Sequence, residues 1–208
     1  AMLEGTGAIQ AALGLLMAFW VIVATLKNLY LQLSNATKIS PVRRALLGQS
    51  VAHIGFAVTV IGVTLVSIYS VEKHVRMSPG ESVEFSTYQA TFDSIKKITG
   101  PNYSGVEATF NVTQDEKVIA VLFPQKRNYN AGSQTMTEAG ISAGITKDIY
   151  IALGEKIDTE DWGVRLNIKP FVRWIWFGAF LMAAGGTIAA SDLRFKRLNK
   201  NRRPSAQT

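Results

Sequence analysis

The stretch between Arg44 and Glu72 is almost wholly apolar, and His53 is its only residue of the Asp, Glu, Lys, Arg and His types. Residues 45–70 exceed the roughly 20 apolar residues that a helix needs to cross a bilayer. Residues 8–26 and 171–190 also qualify, and the single cation of the latter, Arg173, can extend its long side chain to the headgroups. The sequence therefore predicts a membrane protein with three transmembrane helices.

The first apolar segment differs from a secretory signal peptide. It has no basic region in front of it, carries Glu4 instead, and is followed by no small-residue cleavage site. We therefore expect it to remain in the membrane as a helix.

Basic residues predict the orientation of these helices. The connector at 27–44 has four bases and no acid, and the tail after Ser191 has six bases against Asp192 alone. Because basic loops stay on the cytoplasmic side, both are predicted to be cytoplasmic, with residues 71–169 on the other side. That segment holds thirteen acids and eleven bases, so the net charge of +7 reflects membrane topology and indicates no nucleic-acid partner.

The segment outside the membrane is predicted to be mainly β. β-branched and aromatic residues are enriched at 82–92, 106–112, 118–123 and 164–168, and turn residues lie at 78–80, 100–102 and 114–116. A hairpin is expected across Asp115 and Glu116, whereas 146–153 fits either a strand or a short helix. The predicted fold class is a membrane protein with α-helical transmembrane spans and a mainly β periplasmic domain, a small barrel or sandwich of roughly six strands.

Hydrolytic, nucleotide and zinc chemistry have no support in the sequence. It has no HExxH, GxSxG, P-loop or GxGxxG motif, and no cysteine for a disulfide, a covalent step or a metal site. The two histidines, His53 and His74, are separated by a predicted membrane boundary. We expect His74 to be a solvated surface residue.

His53 is the candidate functional residue, because an imidazole inside a membrane is costly without a partner. It lies nine residues beyond Arg44, about 13 Å into the cytoplasmic leaflet at 1.5 Å per residue. A stripe of small residues, which His53 is expected to border, lets a helix or a flat ligand approach: Gly48, Ala52, Gly55, Thr59 and Gly62. The imidazole suits an axial haem ligand, with Ala52 and Gly55 shaping the groove, or a hydrogen-bond partner in a packed helix.

The chain resembles the CcmF family of bacterial cytochrome c maturation from about residue 45 to residue 194. The resemblance is carried by SVEKHVRMSPGESV, TGPNYSGVEATFNV, FPQKRNYN, MTEAGISAGITKDIYIALGE and WGVRLNIKPFVRWIWFGAFLMAAGG. It corresponds to the C-terminal third of the family, so the chain is expected to be a fragment, whether a natural split product or a truncation.

The resemblance implies a haem lyase component of the bacterial inner membrane, in which haem delivered by CcmE is attached to apocytochrome c, with CcmH as partner. The family holds haem b between two transmembrane histidines, and His53 occupies the position of the later one, as an axial ligand of the haem iron. The second ligand is expected outside this chain, and electrons are expected from quinol. The β domain has no identifiable reactive group and is expected to offer a docking surface for CcmE, CcmH or apocytochrome c. Its loop residues Arg127, Tyr129 and Glu138 are not assigned to a site.

The predicted organisation follows the chain in order: transmembrane helix 1 at 1–30, a cytoplasmic connector at 31–44, transmembrane helix 2 with His53 at 45–70, the β domain at 71–170, transmembrane helix 3 at 171–190 and a basic cytoplasmic tail at 191–208. Two other functions remain open. The chain could be a structural docking module in which His53 only packs, or part of a haem transporter, although the three spans lack the paired broken helices that a transport path calls for.

Overall fold

The structure is a computed structural model that describes residues 2–34, 42–130 and 135–192. Three helices, α1 (Met2–Ser34), α2 (Val42–Tyr69) and α3 (Val172–Ala190), are long and apolar enough to cross a membrane. Helix α1 is longer than the apolar segment at 8–26, because residues 27–34 continue it. Of the predicted connector and tail, residues 35–41 and 193–208 lie outside the described residues.

The chain divides into a helical unit, residues 1–68 and 171–208, and a β unit, residues 69–170. In the β unit, the described residues form ten strands: β1 (Val71–Met77), β2 (Ser82–Phe85), β3 (Tyr88–Thr99), β4 (Tyr103–Gln114), β5 (Lys117–Leu122), β6 (Gln125–Tyr129), β7 (Thr135–Glu138), β8 (Gly140–Ser142), β9 (Lys147–Lys156) and β10 (Trp162–Pro170). One sheet has the order β1-β10-β9-β8, and the other has the order β2-β3-β4-β6-β7 with β5 also paired to β4.

The two sheets enclose one apolar core, which makes the β unit a sandwich and confirms the prediction of membrane-capable helices joined to a mainly β domain. Alternate residues of β3, β4, β9 and β10 point inward and are buried, as strand geometry requires. The rings of Phe92 and Phe110 stack at the centre with their centroids 4.6 Å apart. The other fully enclosed side chains include Ile151, Leu153 and Leu166.

The predicted number of strands is wrong. The interval 82–92 is two strands, because the chain turns at Ser86 with a positive φ of 57°. Four strands were not expected, namely β1, β6, β7 and β8, and the segment at 146–153 is strand β9. The hairpin at Asp115 and Glu116 is confirmed, since Gln114 pairs with Lys117 across it.

Candidate functional site

Helices α2 and α3 approach each other through glycines. A Cβ added to Gly55 would lie 2.7 Å from the carbonyl oxygen of Gly178, and one added to Gly48 would lie 2.5 Å from the oxygen of Gly185. The hydroxyl of Thr59 donates to the carbonyl oxygen of Gly55 at 3.0 Å and lies 3.5 Å from that of Ile175 on α3. Small residues thus let the two backbones pack closely, as is common between membrane helices.

This contact corrects two expectations about the small-residue stripe. A helix, α3, covers the stripe, so the space beside Gly55 is filled and cannot take the edge of a macrocycle. At 100° per residue, His53 lies well away from the stripe, towards the side of α2 that faces α1. Its neighbours there are Gln49 and Ser50, so His53 does not border the stripe.

Residues of α1 and α2 line a groove beside His53 of about 230 Å³. The walls are apolar at one end, where Trp20, Val21 and Ala24 lie, and polar at the other. The lining residues are Trp20, Val21, Ala24, Thr25, Asn28, Gln49, Ser50 and His53. His53 is exposed within the helical unit, so the imidazole is accessible from the groove.

The imidazole has one nitrogen engaged. Nδ1 of His53 lies 2.8 Å from the carbonyl oxygen of Gln49, one helical turn earlier. Because a carbonyl only accepts, Nδ1 carries the proton and donates, and in the neutral ring the lone pair is then on Nε2. A histidine whose Nδ1–H binds a backbone carbonyl has the tautomer and the fixed ring orientation that metal-ligating histidines generally have.

The residues present fit one side of a haem site. An axial imidazole needs a free, oriented Nε2 and an apolar wall for the macrocycle, and the groove provides both. Its volume is below the roughly 300–1,000 Å³ of complete small-molecule pockets, so these helices form only part of such a site. No group of three or more His, Asp or Glu side chains that could hold another metal ion occurs in the described ranges.

Sequence reasoning missed the contribution of α1 to this groove. Trp20, Ala24 and Asn28 recur at intervals of four and therefore share one face of α1. The amide oxygen of Asn28 accepts a hydrogen bond of 2.9 Å from the side chain of Gln32. The spacing was visible in the sequence, but apolar residues dominate α1, so nothing singled out that face.

The second histidine, His74, lies in β1 of the sandwich with 61% of its side chain exposed. Its Nε2 lies 2.8 Å from a carboxylate oxygen of Glu72, and Nε of Arg165 lies 3.5 Å from that same oxygen. The structure therefore places His74 in a surface charge cluster, as expected.

Arg127, Tyr129 and Glu138 come together on the outer face of the second sheet. The guanidinium of Arg127 lies 4.5 Å above the ring centre of Tyr103, and its Nη1 is 4.0 Å from Glu138. A hydrogen bond to Tyr129 is the main cause that raises the pKa of Arg127.

The same network continues to Glu107. Its carboxylate accepts from Lys96 at 2.8 Å and from the amide of Gln125 at 2.5 Å. The bond from Lys96 is the largest cause that lowers the pKa of Glu107, and partial burial opposes it. These contacts fix the side chains to one another, and Arg127, Tyr129 and Glu138 therefore lie in one patch.

Comparison with known proteins agrees with this architecture. A family model described as the CcmF C-terminal β-sandwich matches residues 68–170. The chain is 44% identical to the cytochrome c-type biogenesis protein CcmF of Escherichia coli (strain K12) over 188 residues, and 43% identical to that of Pseudomonas aeruginosa over 190 residues. Each match covers 90% of this chain and 29% of the relative.

A solved structure titled cytochrome c heme lyase CcmF has the same fold, with a TM-score of 0.69 over 89% of this chain and 34% of that one, at 18% identity. The helices and the sandwich define a multi-pass membrane protein with a β-sandwich domain. The chain belongs to the CcmF family, and it spans about 29% of the length of the curated relatives that it matches.

Proposed function

We propose that this chain takes part in cytochrome c biogenesis, and that His53 is one axial ligand of a b-type haem. The observation that carries the proposal is the hydrogen bond from Nδ1 of His53 to the carbonyl oxygen of Gln49. That bond leaves the lone pair of Nε2 free to bind a metal ion and orients Nε2 beside the groove between α1 and α2. The names of the relatives, which are cytochrome c-type biogenesis proteins, support the pathway.

The groove favours an apolar, flat ligand over a hydrated ion. Trp20, Val21 and Ala24 provide an apolar wall on α1, and the amide of Asn28 lies at the other end. A macrocycle with a hydrophobic body and carboxylates at one edge matches that division. Since His53 is the only histidine in the three apolar spans, a second axial histidine would come from outside this chain.

When bound, haem would supply one-electron chemistry, which the family uses to keep incoming haem reduced during its covalent attachment to apocytochrome c. The residues of this chain would hold and orient the haem. His53 would bind its iron, and the Gln49 carbonyl fixes the tautomer of His53. Helix α3 holds α2 in place through Gly55 and Gly178. The partners that we propose are a haem chaperone of the CcmE type, a CcmH-type protein and apocytochrome c, with quinol as the source of electrons.

We propose the bacterial inner membrane as the location, with the sandwich on the periplasmic side. The distribution of bases supports this orientation. Lys27, Arg44 and the basic tail after Ser191 all follow or precede the spans on the predicted cytoplasmic side.

The decisive experiment is a reduced-minus-oxidised visible spectrum of the protein purified in detergent together with its membrane partners. We expect His53→Ala to lose the b-type absorption and added imidazole to restore it. The matched control is His74→Ala, which removes the only other histidine and should leave the spectrum unchanged. An unchanged spectrum in His53→Ala would remove His53 from the haem site.

A second function, docking of a protein partner, is favoured by one feature of the sandwich. Strand β5 pairs with β4 along one edge, and an outward row that contains Ile119, Val121 and Phe123 is between 44% and 52% exposed. Exposed apolar rows on edge strands are typical of surfaces that bind another chain. If docking were the whole function, cytochrome c maturation would survive His53→Ala and fail when Val121 is replaced by Asp.

A further inference from the structure

Ile145 is the most exposed large apolar residue in the described part of the chain, with 81% of its surface accessible. It lies in the loop at 143–146 between β8 and β9, which contains no charged residue. An isoleucine left in water does not gain the favourable free energy that burial of its side chain provides.

The loop has a defined shape. The carboxylate of Asp148, which is 5% exposed, accepts a hydrogen bond of 2.9 Å from the backbone N–H of Gly144. A Cβ on Gly144 would lie 2.5 Å from the carbonyl oxygen of Lys147, so the loop closes tightly on itself. These contacts present Ile145 at a fixed tip.

The strand register places this tip at a particular end of the sandwich. Lys147, the first residue of β9, pairs with Pro170, the last residue of β10, and Val71, the first residue of β1, pairs with Ile168. The loop at 143–146 therefore projects from the end at which the chain enters β1 and leaves β10.

That same end is joined to two membrane-capable helices by very short connections. Ser70 alone separates Tyr69 of α2 from Val71, and Phe171 alone separates Pro170 from Val172 of α3. Two residue steps span at most about 7 Å. Since neighbouring strands lie about 4.8 Å apart, the tip of the loop is within reach of the headgroup region, which is several ångströms deep on each side of a bilayer.

We propose that the β8–β9 loop is a membrane anchor of the sandwich, with Ile145 inserted into the interfacial layer of the lipid bilayer. The occupant is lipid, because the covalent connections bring this end to a bilayer surface whatever other proteins are bound. The loop between β9 and β10, at the opposite end of these strands, is charged, because Asp158, Glu160 and Asp161 follow Ile157. In the other sheet, the β4–β5 turn is also charged, because it is formed by Asp115 and Glu116.

Spin labelling provides the test, because the chain has no cysteine to be removed first. Ile145→Cys and Ile157→Cys are each given a nitroxide label in the full chain, reconstituted into phosphatidylcholine nanodiscs. Collision rates are measured with oxygen, which partitions into lipid, and with a water-soluble nickel chelate. We expect the oxygen-to-nickel collision ratio to be several-fold higher at 145 than at 157.

Two outcomes would overturn the proposal. Equal ratios at the two positions would mean that Ile145 lies in water, and low collision rates with both reagents at 145 would mean that protein covers it. Far-ultraviolet circular dichroism of each labelled variant is the control that tests whether the fold is retained. Neither result bears on His53, so the anchor and the haem proposal can fail independently.

Discussion

Gly55 and Gly178 lie so close across the α2–α3 contact that a Cβ on Gly55 would come within 2.7 Å of the carbonyl oxygen of Gly178. The contact is backbone against backbone, so neither side can yield by turning a flexible side chain. Because α2 carries His53, this contact also holds the helix that bears the candidate haem ligand.

Gly178→Leu should therefore separate α3 from α2 and destabilise the helical unit by about 1–3 kcal/mol, the usual result of overpacking. The measurement is the thermal midpoint of the detergent-solubilised chain, followed by fluorescence-detected size exclusion. Gly186→Leu is the matched control on the same helix, because a Cβ there meets nothing within 4 Å. Equal midpoints for the two variants would contradict the packing described.

Replacing the Gln49 side chain tests which part of that residue orients His53. The acceptor is the backbone carbonyl at 2.8 Å, so Gln49→Leu should retain the b-type spectrum and the position of its bands. His53→Gln, which keeps a polar side chain but loses the imidazole, should abolish them. If Gln49→Leu loses haem, then the amide side chain and not only the carbonyl contributes to the site.

The transmembrane helices were predictable because span length and lack of charge depend on composition alone. The hairpin at Asp115 and Glu116 was predictable because polar turn residues separate two runs that are rich in β-branched residues. Strand β1 was missed for a physical reason: it is an edge strand, and its sequence VEKHVRM is exposed at five of seven positions, so it carries no apolar alternation. Strand β7, TMTE, is exposed throughout.

The face of α2 on which His53 lies could not be predicted from the sequence. Both faces of the helix are apolar, so periodicity does not show which one meets α3 and which meets α1. The stripe through Gly55 was correctly expected to admit a neighbour, and the structure shows that this neighbour is a helix. Which face of α2 meets α3 depends on the positions of Gly178 and Gly185, which are more than a hundred residues away in the chain.

The stacked phenylalanines at the centre of the sandwich should dominate its stability. Phe110 is fully buried against Phe92, so Phe110→Ala is expected to destabilise the domain by about 3–5 kcal/mol. Phe123→Ala removes the same ring from a position that is 52% exposed and should change stability far less. Urea unfolding followed by the fluorescence of Trp162, with the other three tryptophans replaced by Phe, gives both values.

Acid should weaken the sandwich through Glu107 and Asp161. The bond from Lys96 lowers the pKa of Glu107, and bonds from Ser78 and Arg76 lower that of Asp161. A carboxyl whose folded pKa is lowered stabilises the fold above its unfolded pKa, and this stabilisation is lost as the pH falls through the folded value. The loss should therefore begin below about pH 4.5, the ordinary value for Glu.

Glu107→Gln isolates the first of these carboxyls. We expect the variant to be less stable than the unchanged protein at pH 7, by no more than about 1 kcal/mol for a pair with an exposed lysine, and to lose less stability on acidification. Urea midpoints at pH 7 and pH 3.5, read from Trp162, measure the difference. A parallel loss in both proteins would show that Glu107 contributes nothing to the acid response.

The β4–β5 turn contains removable backbone strain. Asp115 and Glu116 both have positive φ angles, 49° and 62°, in a two-residue hairpin loop that strongly favours glycine at its second position. Glu116→Gly should therefore stabilise the sandwich by up to about 1 kcal/mol. The left-handed conformation costs an L-residue about 1–2 kcal/mol, and the larger conformational entropy that glycine loses on folding offsets part of the gain. Glu116→Ala removes the same carboxylate without relieving the strain and should bring no gain. A higher urea midpoint for the glycine variant alone is the expected result, whereas equal gains in both variants would assign the effect to charge.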